Sequence, residues 1–280
     1  MPNPVANSVT IVSICYNSMA VLPAMLASVP DGVPVVLVDN ASANGAALAE
    51  LAERRGAVLI RNDENRGFGV ACNQGAAIAK TDFILFLNPD AELQPGALEA
   101  LLAAMARHPK ASAMNPRISE ADGRPYFKRR SVILPRADWM PRGWPAADCE
   151  VTVLSGAALF VRRRDFETVG GFDPHIFLYH EDDDLSLRLR SVCGPILFVR
   201  DAHVRHQGGS STARSAKTAA FKAWHMGRSR VYAARKHGRA NAFSSALRAA
   251  LAQLISPGTL TSSRRRAKNW AFLRGVLSQR

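Results

Sequence analysis

Four short apolar runs, each closed by polar residues, constrain this chain most. They are Val9–Tyr16, Pro34–Asn40, Val58–Arg61 and Phe83–Leu87. Their length and their β-branched or aromatic content predict buried strands. Helical stretches separate the first three: Met19–Ser28, with Ser18 as its cap, and Ala46–Arg55, ended by Gly56. Strand, helix, strand, helix, strand predicts a parallel sheet with helices on its faces. Ligands of such sheets bind beyond the carboxyl ends of the strands. The polar residues there are Tyr16, Asn17, Asp39, Asn40 and Asn62.

The loop after the third strand, Asn62–Gly69, has two glycines flanking Phe68 at the mouth of an Ala-rich helix. Backbone N–H groups in such a loop can approach a phosphate, and Arg66 adds charge; an ordinary loop with a helix cap is the plainer reading. The most hydrophobic strand ends abruptly in Asn88-Pro89-Asp90. Spacing i, i+2 on an extended segment points both oxygen-bearing side chains to one side. That suits a hard divalent cation that also grips a diphosphate, although the same tripeptide is good turn chemistry. His206, in a later Gly/Ser loop, could add a metal ligand or be structural.

Phe177-Leu178-Tyr179-His180 leads into Glu181-Asp182-Asp183-Asp184, four acidic residues in a chain of net charge +13. Leu185, Leu189 and Val192 follow at helical spacing, and Gly194 stops the run. Acids at the entry and arginines toward the exit match a helix macrodipole. Four adjacent carboxylates repel one another, so they require either a chemical role or full solvation as a cap.

The remaining segments are less regular. Ser119–Cys149, rich in Pro, Arg and Trp, reads as an inserted loop. Val151–Leu154 and Ala158–Val161 read as one strand kinked at Ser155-Gly156-Ala157, where a ligand could approach closely. From residue 216 to residue 280 the chain is basic and helical, broken into two helices at Pro257-Gly258, with aromatics among the arginines. This composition suits a helix on anionic lipid headgroups or a pair of surface helices packed on the core.

The chain has 280 residues, enough for one large α/β domain with an extension. Its positive charge predicts an anionic partner. The basic residues concentrate in the insertion and the tail and form no recognition motif, so a phosphorylated substrate is expected and nucleic acid is not. No apolar run reaches the ~18 residues of a membrane helix. Met1–Ser8 has no basic region followed by an apolar core, so no signal peptide is expected. Cys15, Cys72, Cys149 and Cys193 form no Cys-x-x-Cys pair and read as free thiols of a cytoplasmic protein.

Taken together, Ile14-Cys15-Tyr16-Asn17, Val38–Ser42, Asn65–Gly69 with Asn73, Phe86–Asp90, Ser155-Gly156-Ala157, Gly171-Phe172-Asp173, Glu181–Leu185 and His206 with Gly208-Gly209-Ser210 resemble the inverting nucleotide-sugar glycosyltransferases of family 2. The branch they look most like is the bacterial rhamnosyltransferases of cell-surface polysaccharide assembly. The resemblance runs from about residue 9 to residue 236.

It implies the GT-A fold: an α/β architecture with a Rossmann-like, mixed, mostly parallel sheet flanked by helices. Residues 1–215 would be the catalytic domain, with a nucleotide-sugar half to about 115 and an acceptor half over 116–215, and 216–280 a helical basic extension. It implies that Tyr16, Asn17 and Asp39 hold the nucleoside, that Asn65, Arg66, Gly67, Phe68 and Asn73 line nucleotide and sugar, and that Asn88 assists. Asp90 and His206 would bind Mg²⁺ or Mn²⁺. Asn88 stands where the family has the first Asp of its Asp-x-Asp metal motif, which puts more of that task on Asp90. Asp182 matches the general base, with Glu181 beside it; its carboxylate neighbours would raise its pKa. Ser155, Gly156, Tyr179 and Asp183 would meet the acceptor.

The implied donor is dTDP-rhamnose, with a UDP-hexose or UDP-galactofuranose as runner-up. The implied acceptor is a saccharide or polyprenyl-diphosphate-linked saccharide at the inner face of the cytoplasmic membrane, with the enzyme peripheral on that anionic surface. A non-catalytic nucleotide binder on the same fold is the rival; it would not need the acidic cluster.

Overall fold

The computed structural model describes residues 5–208 and 215–280. Gly209 and Ser210 of the last matching stretch lie outside the described residues. The N-terminal half alternates as the apolar runs predict: β1 Val9–Cys15, α1 Leu22–Ser28, β2 Val35–Asp39, α2 Gly45–Arg55, β3 Val58–Arg61, α3 Phe68–Ile78 and β4 Phe83–Leu87. These strands pair in parallel, in the order β3-β2-β1-β4. Every residue of β1 and β2 is buried, which is why both read as unbroken apolar runs.

The second half is mixed. Its elements are β5 Ala91–Leu93, α4 Ala97–Arg107, β6 Ala113–Glu120, β7 Cys149–Glu150, β8 Ala158–Arg162, α5 Arg163–Thr168, α6 Glu181–Val192 and β9 Ile196–His206. They extend the sheet as β4-β8-β6-β9-β5, with β7 on β9. β4 meets β8 antiparallel, and β6 meets β9 in parallel. The sheet separates two apolar layers. One contains Leu22, Met25, Leu37, Leu98 and Phe160. The other contains Phe86, Phe166, Phe172, Leu185 and Phe198. Burying this much apolar area supplies the main favourable term in folding.

Several local expectations change. Helix α1 begins three residues later than the pattern suggests, and Ser18 Oγ accepts the Tyr16 N–H (3.1 Å) instead of capping it. Residues 151–154 are not a strand; the ladder there is β7 on β9. The C-terminal part forms α7 Ala216–Lys236, α8 Ala242–Leu254, α9 Pro257–Thr261 and α10 Ser263–Leu277, four helices rather than two. They bury a small core of their own around Ala223, Val231, Ala246 and Phe272. Gly275 lets α10 lie against α7: a Cβ there would collide with the Trp224 carbonyl.

Helix α7 is not detached from the catalytic body. Lys236 Nζ lies 2.6 Å from Asp173 and 2.8 Å from Asp184, and His237 Nε2 lies 2.8 Å from Asp184. Ser229 donates to the Leu178 carbonyl at 2.9 Å, and the His225 ring stacks on Phe177 at 4.0 Å. A boundary at residue 216 therefore cuts through packed structure.

Candidate active site

Two cavities open at the carboxyl end of the parallel strands and share Tyr179. The first, about 370 Å³, is lined among others by Tyr16, Asn65, Phe68, Asn88, Asp90 and His206. The second, about 630 Å³, lies between α6 and the 119–149 insertion. Five non-glycine residues among those described have positive φ; Tyr179 and His180 line these cavities, and Asn17 and Ala41 directly follow the lining residues Tyr16 and Asn40. Side chains resist that conformation, and such residues gather where surrounding structure forces an arrangement for function.

The first cavity owes its shape to an amide network. Asn40 Nδ2 donates to Asn65 Oδ1 (2.9 Å) and to the Gly67 carbonyl (3.2 Å), while its Oδ1 accepts from Asn62 and from the Arg66 N–H. Gly67 then presses against Phe177: Phe68 N–H donates to the Phe177 carbonyl (2.9 Å), and a Cβ on Gly67 would fall 2.6 Å from that oxygen. A glycine at φ 86° is required there. The loop after β3 is thus fixed to the lead-in of α6. Asn40, the hub, was visible only as one polar strand end among several.

The expected donor residues divide. Tyr16, Asn65, Gly67, Phe68 and Asn88 line the cavity. Asp39 instead lies beneath it, 1% exposed, accepting the Ser42 N–H (2.8 Å) and facing Arg61 at 3.5 Å. Asn17 Oδ1 accepts the Ala43 N–H and braces the same turn. Arg66 is exposed and outside the lining. The Asn73 amide both donates to and accepts from the Phe172 backbone (2.8 Å each), joining α3 to the 170–173 segment in a different pocket. Sequence reading missed Thr218, Phe221 and Lys222 of α7, which close the cavity.

Antiparallel pairing of β5 with β9 sets Ala91 opposite His206 and so brings Asp90 beside it. Asp90 Oδ1 lies 3.2 Å from His206 Nε2, and both residues are buried. Two cis ligands at about 2.1 Å from an octahedral cation are about 3 Å apart, so this pair has a suitable bite. His206 Nδ1 is buried without a hydrogen-bond partner among the described residues. Among the described residues no group of three or more His, Cys, Asp or Glu could hold a metal. The described residues thus offer two strong donors at this place, Asp90 and His206.

The four acids of α6 have four different environments. Asp184, 0% exposed, is enclosed by Arg188 (2.7 Å), Lys236 and His237; burial opposes its charge, but hydrogen bonds from His237 and Lys236 and the Arg188 guanidinium lower its pKa. Asp183 pairs with His180 Nδ1 and with Lys128, each at 2.8 Å. Burial opposes its charge, but the Lys128 ammonium and His180 hold its carboxyl well below the usual range. Glu181 is pushed up to about 8, by burial and then by the charge of Asp182. Asp182 is the acid with its side chain partly open to the second cavity, 17% exposed. Its Oδ2 accepts the Gly156 N–H (2.9 Å); its Oδ1 accepts the Asp183 N–H (2.9 Å) and lies 2.6 Å from Lys128 Nζ.

Of the residues expected at the acceptor, Tyr179 and Asp183 line the second cavity. Ser155 and Gly156 do not. Ser155 is 3% exposed and bonded to Asn115, and Gly156 orients Asp182 through its N–H. The insertion supplies much of the opposite wall, including Tyr126, Lys128, Arg130 and Trp139. It has no periodicity to reveal this. Its anchors are Ile133, packed on Ile176 and Ala233, and the Trp144 Nε1–H bonded to the Ile118 carbonyl.

The model of the family described as glycosyl transferase family 2 matches residues 10–170. The chain belongs to that family. As a glycosyltransferase, it is 31% identical over 220 residues to the N-acetylglucosaminyl-diphospho-decaprenol L-rhamnosyltransferase of Mycobacterium tuberculosis, covering 65% of this chain and 69% of that one. Among solved structures, S. aureus TarS 1-349 in complex with UDP aligns with a TM-score of 0.59 at 15% identity, over 97% of the glycosyltransferase and 91% of TarS 1-349. The mannosyltransferase PcManGT from Pyrobaculum calidifontis, in complex with GDP-Man and Mn2+, aligns with a TM-score of 0.56 at 17% identity, over 99% and 88%. The fold of this glycosyltransferase is thus the GT-A fold.

Proposed function

We propose that this glycosyltransferase moves L-rhamnose from dTDP-rhamnose, with inversion, onto a hydroxyl of a polyprenyl-diphosphate-linked saccharide. The observation that carries the reading is the meeting of two cavities at Tyr179, with the Asp90–His206 pair in one and Asp182 in the other. Similarity to the mycobacterial rhamnosyltransferase supports the choice of sugar and acceptor.

In this reading Tyr16, Asn65, Phe68 and Asn88 hold the donor, with Asp39, Asn17, Asn40 and Asn73 bracing the loops that carry them. Asp90 and His206 would hold Mg²⁺ or Mn²⁺, which when bound offsets negative charge on the diphosphate leaving group. The acceptor enters between Tyr179 and the insertion. Its hydroxyl oxygen attacks the anomeric carbon from the face opposite the diphosphate. Asp182 takes the hydroxyl proton as the new C–O bond forms and the sugar–phosphate bond breaks. Gly156 N–H fixes the direction of that carboxylate. Glu181, whose pKa burial and the Asp182 charge raise, gives up its proton less readily and so repels Asp182 less than an ordinary carboxylate would. A single displacement needs no covalent intermediate.

The melting temperature should rise when dTDP-rhamnose and Mn²⁺ are added together, and EDTA should abolish the rise. A rise of equal size in EDTA would remove the metal from the account.

The same reading places the protein on an anionic membrane surface. No helix among the described residues is long and apolar enough to cross a membrane. Helices α8 to α10 instead expose Leu251, Ile255 and Trp270, the last two 78% and 55% exposed, beside the exposed Arg264, Arg265, Arg266 and Lys268. Each basic residue near anionic lipid contributes about 1 kcal/mol, screened by salt. Changing Arg264, Arg265 and Arg266 together to Gln should weaken pelleting with phosphatidylserine vesicles about a hundredfold at low salt. Unchanged pelleting would put the attachment elsewhere.

A further inference from the structure

Lys128 is the least expected residue in the site. It comes from the aperiodic insertion, yet its ammonium lies 2.6 Å from Asp182 Oδ1 and 2.8 Å from Asp183 Oδ1. Its side chain is 22% exposed, at the wall of the larger cavity. An ammonium this close occupies the carboxylate oxygen it faces and keeps an incoming hydroxyl from it. The Gly156 and Asp183 N–H groups hold the same carboxylate. With all three partners in place the carboxylate is well aimed and its Oδ1 is taken.

Asp183 differs, because His180 holds its other oxygen at 2.8 Å. Lys128 can therefore leave Asp182 and still keep an anionic partner in Asp183. The cavity that would admit an acceptor is bounded by Lys128 itself together with Tyr126, Arg130 and Trp139. Anything entering to reach Asp182 has to displace or share that ammonium.

We infer that Lys128 is a latch on the base: it restrains Asp182 while the acceptor cleft is empty and yields it when an acceptor hydroxyl enters. The inference rests on Asp182 being the base, as proposed above. Its consequence is protection of the donor. Without a latch, a water in the cleft could give its proton to Asp182 as its oxygen attacks the anomeric carbon. The sugar–phosphate bond would break, and free sugar and nucleoside diphosphate would leave. Lys128 is a positioning residue in this scheme, acting through Asp182.

The test is release of nucleoside diphosphate from dTDP-rhamnose, and in parallel from UDP-glucose and UDP-galactose, with and without acceptor. Lys128→Met and Lys128→Gln should raise acceptor-free hydrolysis about tenfold and lower the ratio of transfer to hydrolysis, a modest share of what a general base contributes. Lys128→Arg, which keeps the charge, should remain near the wild-type ratio. A structural role alone would lower both activities together and leave the ratio unchanged. The latch is wrong if neither neutral variant, shown folded by its melting curve, raises hydrolysis of any of the three donors, or if wild type already hydrolyses as fast as it transfers. Wild-type transfer from a UDP-hexose only would revise the donor and leave the latch tested by the same ratio.

Discussion

Asp182→Asn should lower turnover about 10²- to 10⁴-fold, the usual worth of a general base, with donor affinity nearly unchanged. The amide keeps the shape of the carboxylate, and its oxygen can still accept the Gly156 N–H that now reaches Oδ2 at 2.9 Å. It cannot take a proton from an attacking hydroxyl. The neighbouring acids make the comparison sharp. Asp183→Asn should cost less turnover, because Asp183 is paired with His180 and Lys128 and has no free edge. Asp184→Asn should act on stability instead: it leaves Arg188, Lys236 and His237 around a neutral group, and breaking such a buried cluster typically costs about 3–5 kcal/mol. Steady-state transfer, calorimetric donor binding and thermal melting separate the three. If Asp183→Asn is the more damaging in turnover, the base is misassigned.

Asp90→Ala should have an effect of similar size by a different route. Among the described residues Asp90 is the only carboxylate lining the first cavity, and its partner at 3.2 Å is His206. Asn88, the other oxygen donor of the turn, is neutral and a weaker ligand for a hard cation. Losing the carboxylate should remove Mn²⁺-dependent donor binding and lower turnover about a thousandfold, since a cation on a leaving diphosphate contributes several kcal/mol. The Asp182 variant should still bind donor with Mn²⁺, and the Asp90 variant should not. Donor binding by Asp90→Ala that remains sensitive to Mn²⁺ would place the cation elsewhere.

The parts legible from sequence were those set by local pattern. β1 to β4 carry their burial in unbroken apolar runs, and α6 carries its start in acids and its stop in Gly194. The parts that were not legible depend on pairing between distant segments. β5 is three residues long, and only its register against β9 turns Asp90 toward His206. β9 runs eleven residues, past Val199 where its apolar pattern ends, because β5 and β6 supply its ladder. Asn73 and Ser155 look like site residues in isolation, yet the Phe172 backbone engages the first and the Asn115 side chain the second. Lys128 sits in a stretch whose composition predicts a loop, and no periodicity points it at α6. The basic tail suggested a surface extension, while Tyr232, Lys236 and His237 bind it to Asp173 and Asp184.

The most direct test of sugar transfer through Asp182 is the product itself. Wild-type protein and Asp182→Asn would be incubated with Mn²⁺, dTDP-rhamnose and a short polyprenyl-diphosphate-linked N-acetylglucosamine, followed by mass spectrometry and NMR of the product. The expected result is one deoxyhexose added to the acceptor, with anomeric configuration opposite to that of the donor, formed by wild type and nearly lost in the variant. A product with the donor's configuration, or one formed equally well by Asp182→Asn, would contradict it.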